Sequence, residues 1–173
     1  MEEAKLITKV MVDNNHHAFA RLVTIHQSQI RNYARRLCKG DLALADDIAQ
    51  ETFISAFEKI RNYKASGSFI GWLLTICYRH FLQHIRKYKA EVEQASVEQW
   101  VDHLAEPQLI LEQAFSFVSA DERSAITLNT SFGFTHQEIS EIMKIPVGTV
   151  KSHISRGKIK LTEVLSQKSK GAA

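Results

Sequence analysis

Helix-breaking residues are scarce in this chain: 7 glycines and 2 prolines in 173 residues. With a hydrophobic fraction of 45%, that scarcity excludes collagen-like and low-complexity classes and predicts a globular, mostly helical protein. Cysteine is nearly missing as well. Cys38 and Cys77 each sit in an apolar helical pattern and supply neither a disulfide framework nor a CxxC pair. The N-terminus carries Glu2 and Glu3 and no long apolar run, so no signal peptide, no membrane insertion and a reducing cytoplasmic setting are expected. A glycine-rich phosphate loop and a nucleophile elbow are also wanting. Asp46 and Asp47 are sequential and diverge by roughly 100° around a helix, so they do not converge on one site. No enzyme activity and no cofactor are expected.

The formal charge of +3 is modest, and its distribution is the informative part. From Phe134 to Lys160 the chain reads as two short helices around a tight turn. Thr135 and Glu138 fit a capping box, and Ile139, Ile142 and Met143 make one apolar stripe. Ile145-Pro146-Val147-Gly148 breaks that helix. A second helix restarts near Thr149 with Val150, Ile154, Leu161 and Leu165 inward and Gly157 allowing close approach. Its other faces carry Thr149, Lys151, Ser152, His153, Ser155, Arg156, Lys158 and Lys160. From Val147 to Lys170 there are six Lys or Arg and one acid, Glu163. A solvated face normally mixes signs, whereas a face of one sign suits phosphate. The pattern is that of a helix-turn-helix whose second helix enters a DNA major groove.

The N-terminal two thirds repeats apolar residues at helical spacing. Leu6, Ile7, Val10 and Met11 open it, and a second helix from about His17 to Cys38 follows. Lys39-Gly40-Asp41 reads as a stop and a new start. In the third helix Leu44, Ile48, Ala49, Thr52, Phe53, Ala56, Phe57 and Ile60 face inward, while Asp41, Asp46, Asp47, Glu51 and Glu58 lie outside. An acidic face is repelled by phosphate. It suits either solvent, with acids near a helix N-terminus, or a basic protein partner. After the turn region from Arg61 to Ser68, a fourth helix carries Phe69, Trp72, Leu73, Ile76, Cys77, Phe81 and Ile85 inward and ends in basic residues. Cys77, His80 and His84 share one side of it, a spacing conceivable for zinc. No Glu follows His80 as HExxH requires, and Cys77 belongs to the apolar stripe, so no metal is assigned.

These residues carry a family resemblance. Asp46-Asp47-Ile48-Ala49-Gln50-Glu51-Thr52-Phe53, then Phe69-Ile70-Gly71-Trp72-Leu73-Leu74-Thr75-Ile76, then Val147-Gly148-Thr149-Val150-Lys151-Ser152 resemble the extracytoplasmic-function (ECF) sigma factors of bacterial RNA polymerase. The resemblance implies an all-α protein of two small helical domains joined by an acidic linker. Region 2 would span residues 1–90, the linker 91–108 and region 4 residues 109–173. It further implies that Asp46, Asp47, Gln50, Glu51 and Phe53 dock on the clamp coiled coil of the polymerase β′ subunit, with the β subunit as a further partner.

By the same resemblance, Tyr63, Lys64, Trp72, Arg79, Gln83, Arg86 and Lys87 would capture the melted minus-10 promoter strand. A basic groove with stacking partners suits single-stranded DNA. Thr149, Lys151, Ser152, His153, Arg156, Lys158 and Lys160 would read the minus-35 duplex. An anti-sigma factor is the implied regulatory partner. The chain departs from the family pattern at Arg79 and Gln83, where Asn and Asp are common, and at His153, where Arg is usual. The acids of the linker, Glu91, Glu93, Glu98, Asp102 and Glu106, suit either a solvated spacer or a segment threaded into the polymerase. The rival reading is a helix-turn-helix regulator that binds DNA without polymerase.

Overall fold

The computed structural model describes residues 2–92, 114–115 and 117–171. Among them are seven α-helices: α1 (Glu2–Asp13), α2 (His16–Leu37), α3 (Leu42–Lys59), α4 (Phe69–Val92), α5 (Ala120–Thr130), α6 (His136–Met143) and α7 (Val147–Gly171). A 3-10 turn, Ile60–Asn62, follows α3. No helix among the described residues is long and apolar enough to cross a membrane.

Local chemistry sets the boundaries. Asn14 has φ 51°, and the Asn15 side chain accepts from the Ala18 amide to cap α2. Lys39 and Gly40 both have positive φ, and Asp41 then caps α3 through the Leu44 amide at 3.0 Å. The stop and start expected at these three residues are as the sequence indicates. Complete capping boxes open α5 (Ser119 with Glu122) and α6 (Thr135 with Glu138). Lys144 closes α6 in the left-handed conformation, φ 58°. The turn is shorter than expected, because Val147 and Gly148 already belong to α7 and the Val150 amide donates to the Pro146 carbonyl.

The first bundle packs α1, α3 and α4 around α2. The second packs α5, α6 and α7 together. The two bundles also meet, α2 against α5 and α4 against α6, and a single apolar core runs through both. Leu22, Ile30, Tyr33, Leu73, Leu74 and Phe81 from the first join Leu128, Ile139 and Val150 from the second. Each such side chain contributes about 1.5–3 kcal/mol when fully buried. Where the bundles meet, the Tyr33 and Ser124 hydroxyls share a hydrogen bond at 2.6 Å, and the Tyr78 hydroxyl donates to Asp121 at 2.6 Å. The Arg123 guanidinium, fully buried, donates to the Arg36, Leu37 and Val118 carbonyls.

Two residues expected inward are not. Ile85 is 37% exposed and Leu165 39% exposed. Leu161 does continue the stripe and packs on Phe115, Val118 and Ile126. Residues 91 and 92 of the expected acidic linker complete α4, and its remainder, 93–108, lies outside the described residues.

Gly157 sits where α7 crosses α5. A Cβ there would collide with Ile126 and approach the Glu122 Cβ to 3.3 Å. Replacing Gly157 by Val should cost about 2 kcal/mol by overpacking, read as a lower midpoint in urea denaturation.

Candidate nucleic-acid and partner surfaces

Helix α3 divides its acids by direction. Asp46 turns toward α2, with Arg31 Nε at 3.6 Å and Arg35 at 3.9 Å. Glu51 turns toward α4, where one carboxylate oxygen meets His80 Nδ1 at 3.2 Å and His84 Nε2 at 3.0 Å. Between them, Asp47 and Gln50 are exposed. Phe53 is half-buried against the core. The five residues expected to dock on a protein therefore occupy four directions, and the outward one is narrow. Sequence reading missed Ile54, which is 60% exposed. It lies four residues after Gln50 and seven after Asp47, so helical periodicity alone places it on their face.

The basic face of α4 is more continuous. Trp72, Thr75, Arg79, Gln83 and Arg86 follow one another at three- or four-residue steps, so they form one stripe, and Arg79, Gln83 and Arg86 are exposed. Lys87 stands beside this stripe and lines an apolar groove with Leu37, Leu44, Phe81 and Ile85. At the N-terminal end of α4 the Tyr63 ring lies 5.3 Å from Phe69 and 5.4 Å from Trp72. The Tyr63 hydroxyl donates to the Gly67 carbonyl at 2.7 Å, which braces the loop that carries exposed Lys64. This loop and Trp72 form one wall of a cavity of about 270 Å³. The opposite wall is α6 and its flanks, with Glu138 and Glu141 on the helix, Phe134 before it and Lys144 at its end.

The zinc-compatible spacing does not produce a converging ligand set. Cys77 is fully buried, and burial pushes its thiol up to about 12. His80 instead meets Ser55 Oγ at 2.9 Å and Glu51. Burial holds its imidazole below the ordinary value, against the pull of Glu51.

In the helix-turn-helix, Lys151, Ser152, Ser155, Arg156 and Lys158 are exposed on α7, with Thr149 and His153 partly so. Ser155, on an outer face but not among the residues expected to read the duplex, follows Lys151 by one turn. Lys160 is held back: its ammonium lies 2.7 Å from Glu122 Oε2. Arg156 Nε is 3.4 Å from Glu122 Oε1, and Arg156 Nη2 is 3.2 Å from His153 Nδ1. Glu122, with a side chain 5% exposed, thus tethers two of the expected DNA-contacting cations. Its visible signal is the Ser119-to-Glu122 capping-box spacing.

Burial raises the Glu122 carboxyl, but bonds from Lys160 and Ser119 outweigh it and hold the group below its ordinary 4.5. A carboxyl depressed in the folded state stabilises fully above its unfolded value and loses that effect as pH falls through the folded one. Thermal unfolding of wild type and Glu122→Gln should therefore differ at neutral pH, and the difference should shrink progressively as pH falls below 4.5.

Residues 22–91 match the family model of Sigma-70 region 2, and residues 108–161 match that of Sigma-70, region 4. The ECF RNA polymerase sigma factor SigW of Bacillus subtilis (strain 168) is 30% identical over 86% of this chain and 89% of its own length. The ECF RNA polymerase sigma factor SigE of Mycolicibacterium smegmatis is 29% identical over 88% of this chain, which spans 63% of that relative's length. Among solved structures, the sigma factor RpoE in complex with the anti-sigma factor NepR, from Bartonella quintana, matches with a TM-score of 0.78 at 27% identity. That match covers 86% of this chain and 96% of RpoE. CnrH, solved with the cytosolic domain of CnrY, shares the fold at a TM-score of 0.70 and 20% identity, over 96% of this chain and 99% of CnrH. The two family models, in this order on one chain, and the SigW relationship carry the conclusion: the protein belongs to the extracytoplasmic-function family of RNA polymerase sigma factors.

Proposed function

We propose that this sigma factor joins core RNA polymerase to promoter DNA through three surfaces and performs no chemistry of its own. Region 2 spans residues 1–90, the linker 91–108 and region 4 residues 109–173. The carrying observation is the separation of charge. The outward face of α3 presents Asp47, Gln50 and Ile54, while Arg79, Gln83 and Arg86 present a donor stripe on α4. An acidic face with one exposed aliphatic residue suits a basic protein helix, here the clamp coiled coil of the β′ subunit. Asp46 and Glu51, already engaged by α2 and α4, support that face from its flanks, and Phe53 anchors it to the core.

The stripe on α4, with Trp72, Tyr63 and Lys64, holds the opened minus-10 strand by stacking and phosphate contacts. Helix α7 reads the minus-35 duplex through Thr149, Lys151, Ser152, His153 and Arg156, with Lys158 on phosphate and Lys160 stabilising the helix from behind. Linking two weak sites makes their joint recognition bivalent. The solved complex of RpoE with the anti-sigma factor NepR supports an anti-sigma factor as regulatory partner, and the setting is the bacterial cytoplasm.

Capture of core polymerase is the deciding experiment. Wild type should bind core and start transcription at defined sites on genomic fragments. Asp47→Arg with Gln50→Arg should reduce capture tenfold or more, because like charges facing across an interface cost several kcal/mol. Arg79→Glu with Arg86→Glu should retain capture and lose initiation. Equal capture by the α3 variant would remove this surface from the contact, and failure of the wild type to bind core would defeat the whole reading.

A further inference from the structure

Within region 4 a chain of three side chains connects a buried carboxylate to the surface of α7. Glu122 Oε1 lies 3.4 Å from Arg156 Nε, and Arg156 Nη2 lies 3.2 Å from His153 Nδ1. The first member is fixed three times over. Its other oxygen, Oε2, accepts from the Ser119 amide at 3.1 Å and from the Lys160 ammonium at 2.7 Å, so the carboxylate has little freedom to turn. Gly157 brings α7 close enough for this contact, its missing Cβ lying within 3.3 Å of the Glu122 Cβ.

The direction of the last bond follows from chemistry. A guanidinium has five N–H donors and no acceptor. His153 Nδ1 must therefore accept, which a doubly protonated ring cannot do. The contact selects the neutral ring with its proton on Nε2, because the hydrogen bond made by one ring nitrogen determines the state of the other. A histidine left to itself offers either a donor or an acceptor at its tip. Here the tip is a donor.

We propose that Glu122 is a positioning residue for base reading. Through Arg156 it sets His153 as a single Nε2 donor, which favours a base offering an acceptor in the major groove and disfavours cytosine, whose N4 amine is a donor. The proposal rests on the reading of α7 as the duplex-reading helix. It also distinguishes this chain from one with arginine at the position, which presents two parallel donors and prefers guanine.

The test uses the full chain with core polymerase and a library of duplexes randomised through the minus-35 segment. Four forms are compared: wild type, His153→Ala, Glu122→Gln and the double variant. Glutamine keeps the capping-box geometry and removes the charge that holds Arg156. His153→Ala identifies the base position concerned, and selectivity there should fall roughly five- to tenfold, the effect of one hydrogen bond. Glu122→Gln should lower selectivity at that same position by a similar factor. The double variant should be no less selective than His153→Ala, as expected for groups that act in series. Arg156→Lys keeps the charge but lacks the fork that spans Glu122 and His153; it should show the same loss, and it serves if Glu122→Gln does not fold.

A merely structural Glu122 would weaken binding to all sequences alike and leave the preferences unchanged, and that result overturns the proposal. So does a His153→Ala profile identical to wild type. If wild type with polymerase enriches no sequence in this segment, the promoter-reading assignment of α7 fails first and the proposal with it.

Discussion

Two buried side chains of opposite charge, adjacent in sequence on α5, organise the C-terminal half and its attachment to the rest. Glu122 and Arg123 point about 100° apart around the helix, and neither would tolerate burial without partners. Glu122 finds its partners on α7, and Arg123 finds carbonyls at the end of α2 and at Val118. Removing one partner of a buried charge typically costs about 3–5 kcal/mol. The positions of α2 and α7 are thus tied to the same short helix from two different sides. The apolar core fills the space between these polar ties and supplies most of the burial.

The N-terminal bundle uses charge differently. Its pairs, Asp46 with two arginines and Glu51 with two histidines, are half-exposed. Such pairs contribute little free energy, but they occupy the flanks of α3 and leave a defined outward stripe. Acids that looked alike in sequence consequently do different work. Asp46 and Glu51 hold α3 between its neighbours, while Asp47 faces solvent.

The helices were legible because the caps and the apolar periodicity agree. Asn15, Asp41, Ser119 and Thr135 each stand one residue before a helix start, and the stripes of α3 and α6 are the buried ones. Positions near helix ends were less legible. Ile85 and Leu165 continue the period yet stay partly open to solvent, and periodicity carries no information about how completely a neighbour covers a side chain. At the candidate site the sequence indicated which residues are polar and basic, not which are already engaged. Lys160 has the same side chain as Lys158, and the approach of α5 alone separates them. Arg123 was invisible as a core residue because a buried arginine depends on carbonyls far away in sequence. Ile54 was hidden for the opposite reason, as an apolar residue in a helix whose apolar residues mostly face inward.

The meeting of the two bundles through Tyr33, Tyr78 and Arg123 has a further physical consequence. Hydroxyl and guanidinium hydrogen bonds exchange for bonds to water when surfaces part, so the neutral Tyr33–Ser124 bond contributes about 1 kcal/mol net and those with a charged member about 1.5–3 kcal/mol. Their angular demands are nonetheless strict. The polar part of this junction therefore acts as a key more than as a glue: it specifies one mutual orientation of α4 and α7 sharply while resisting their separation only gently.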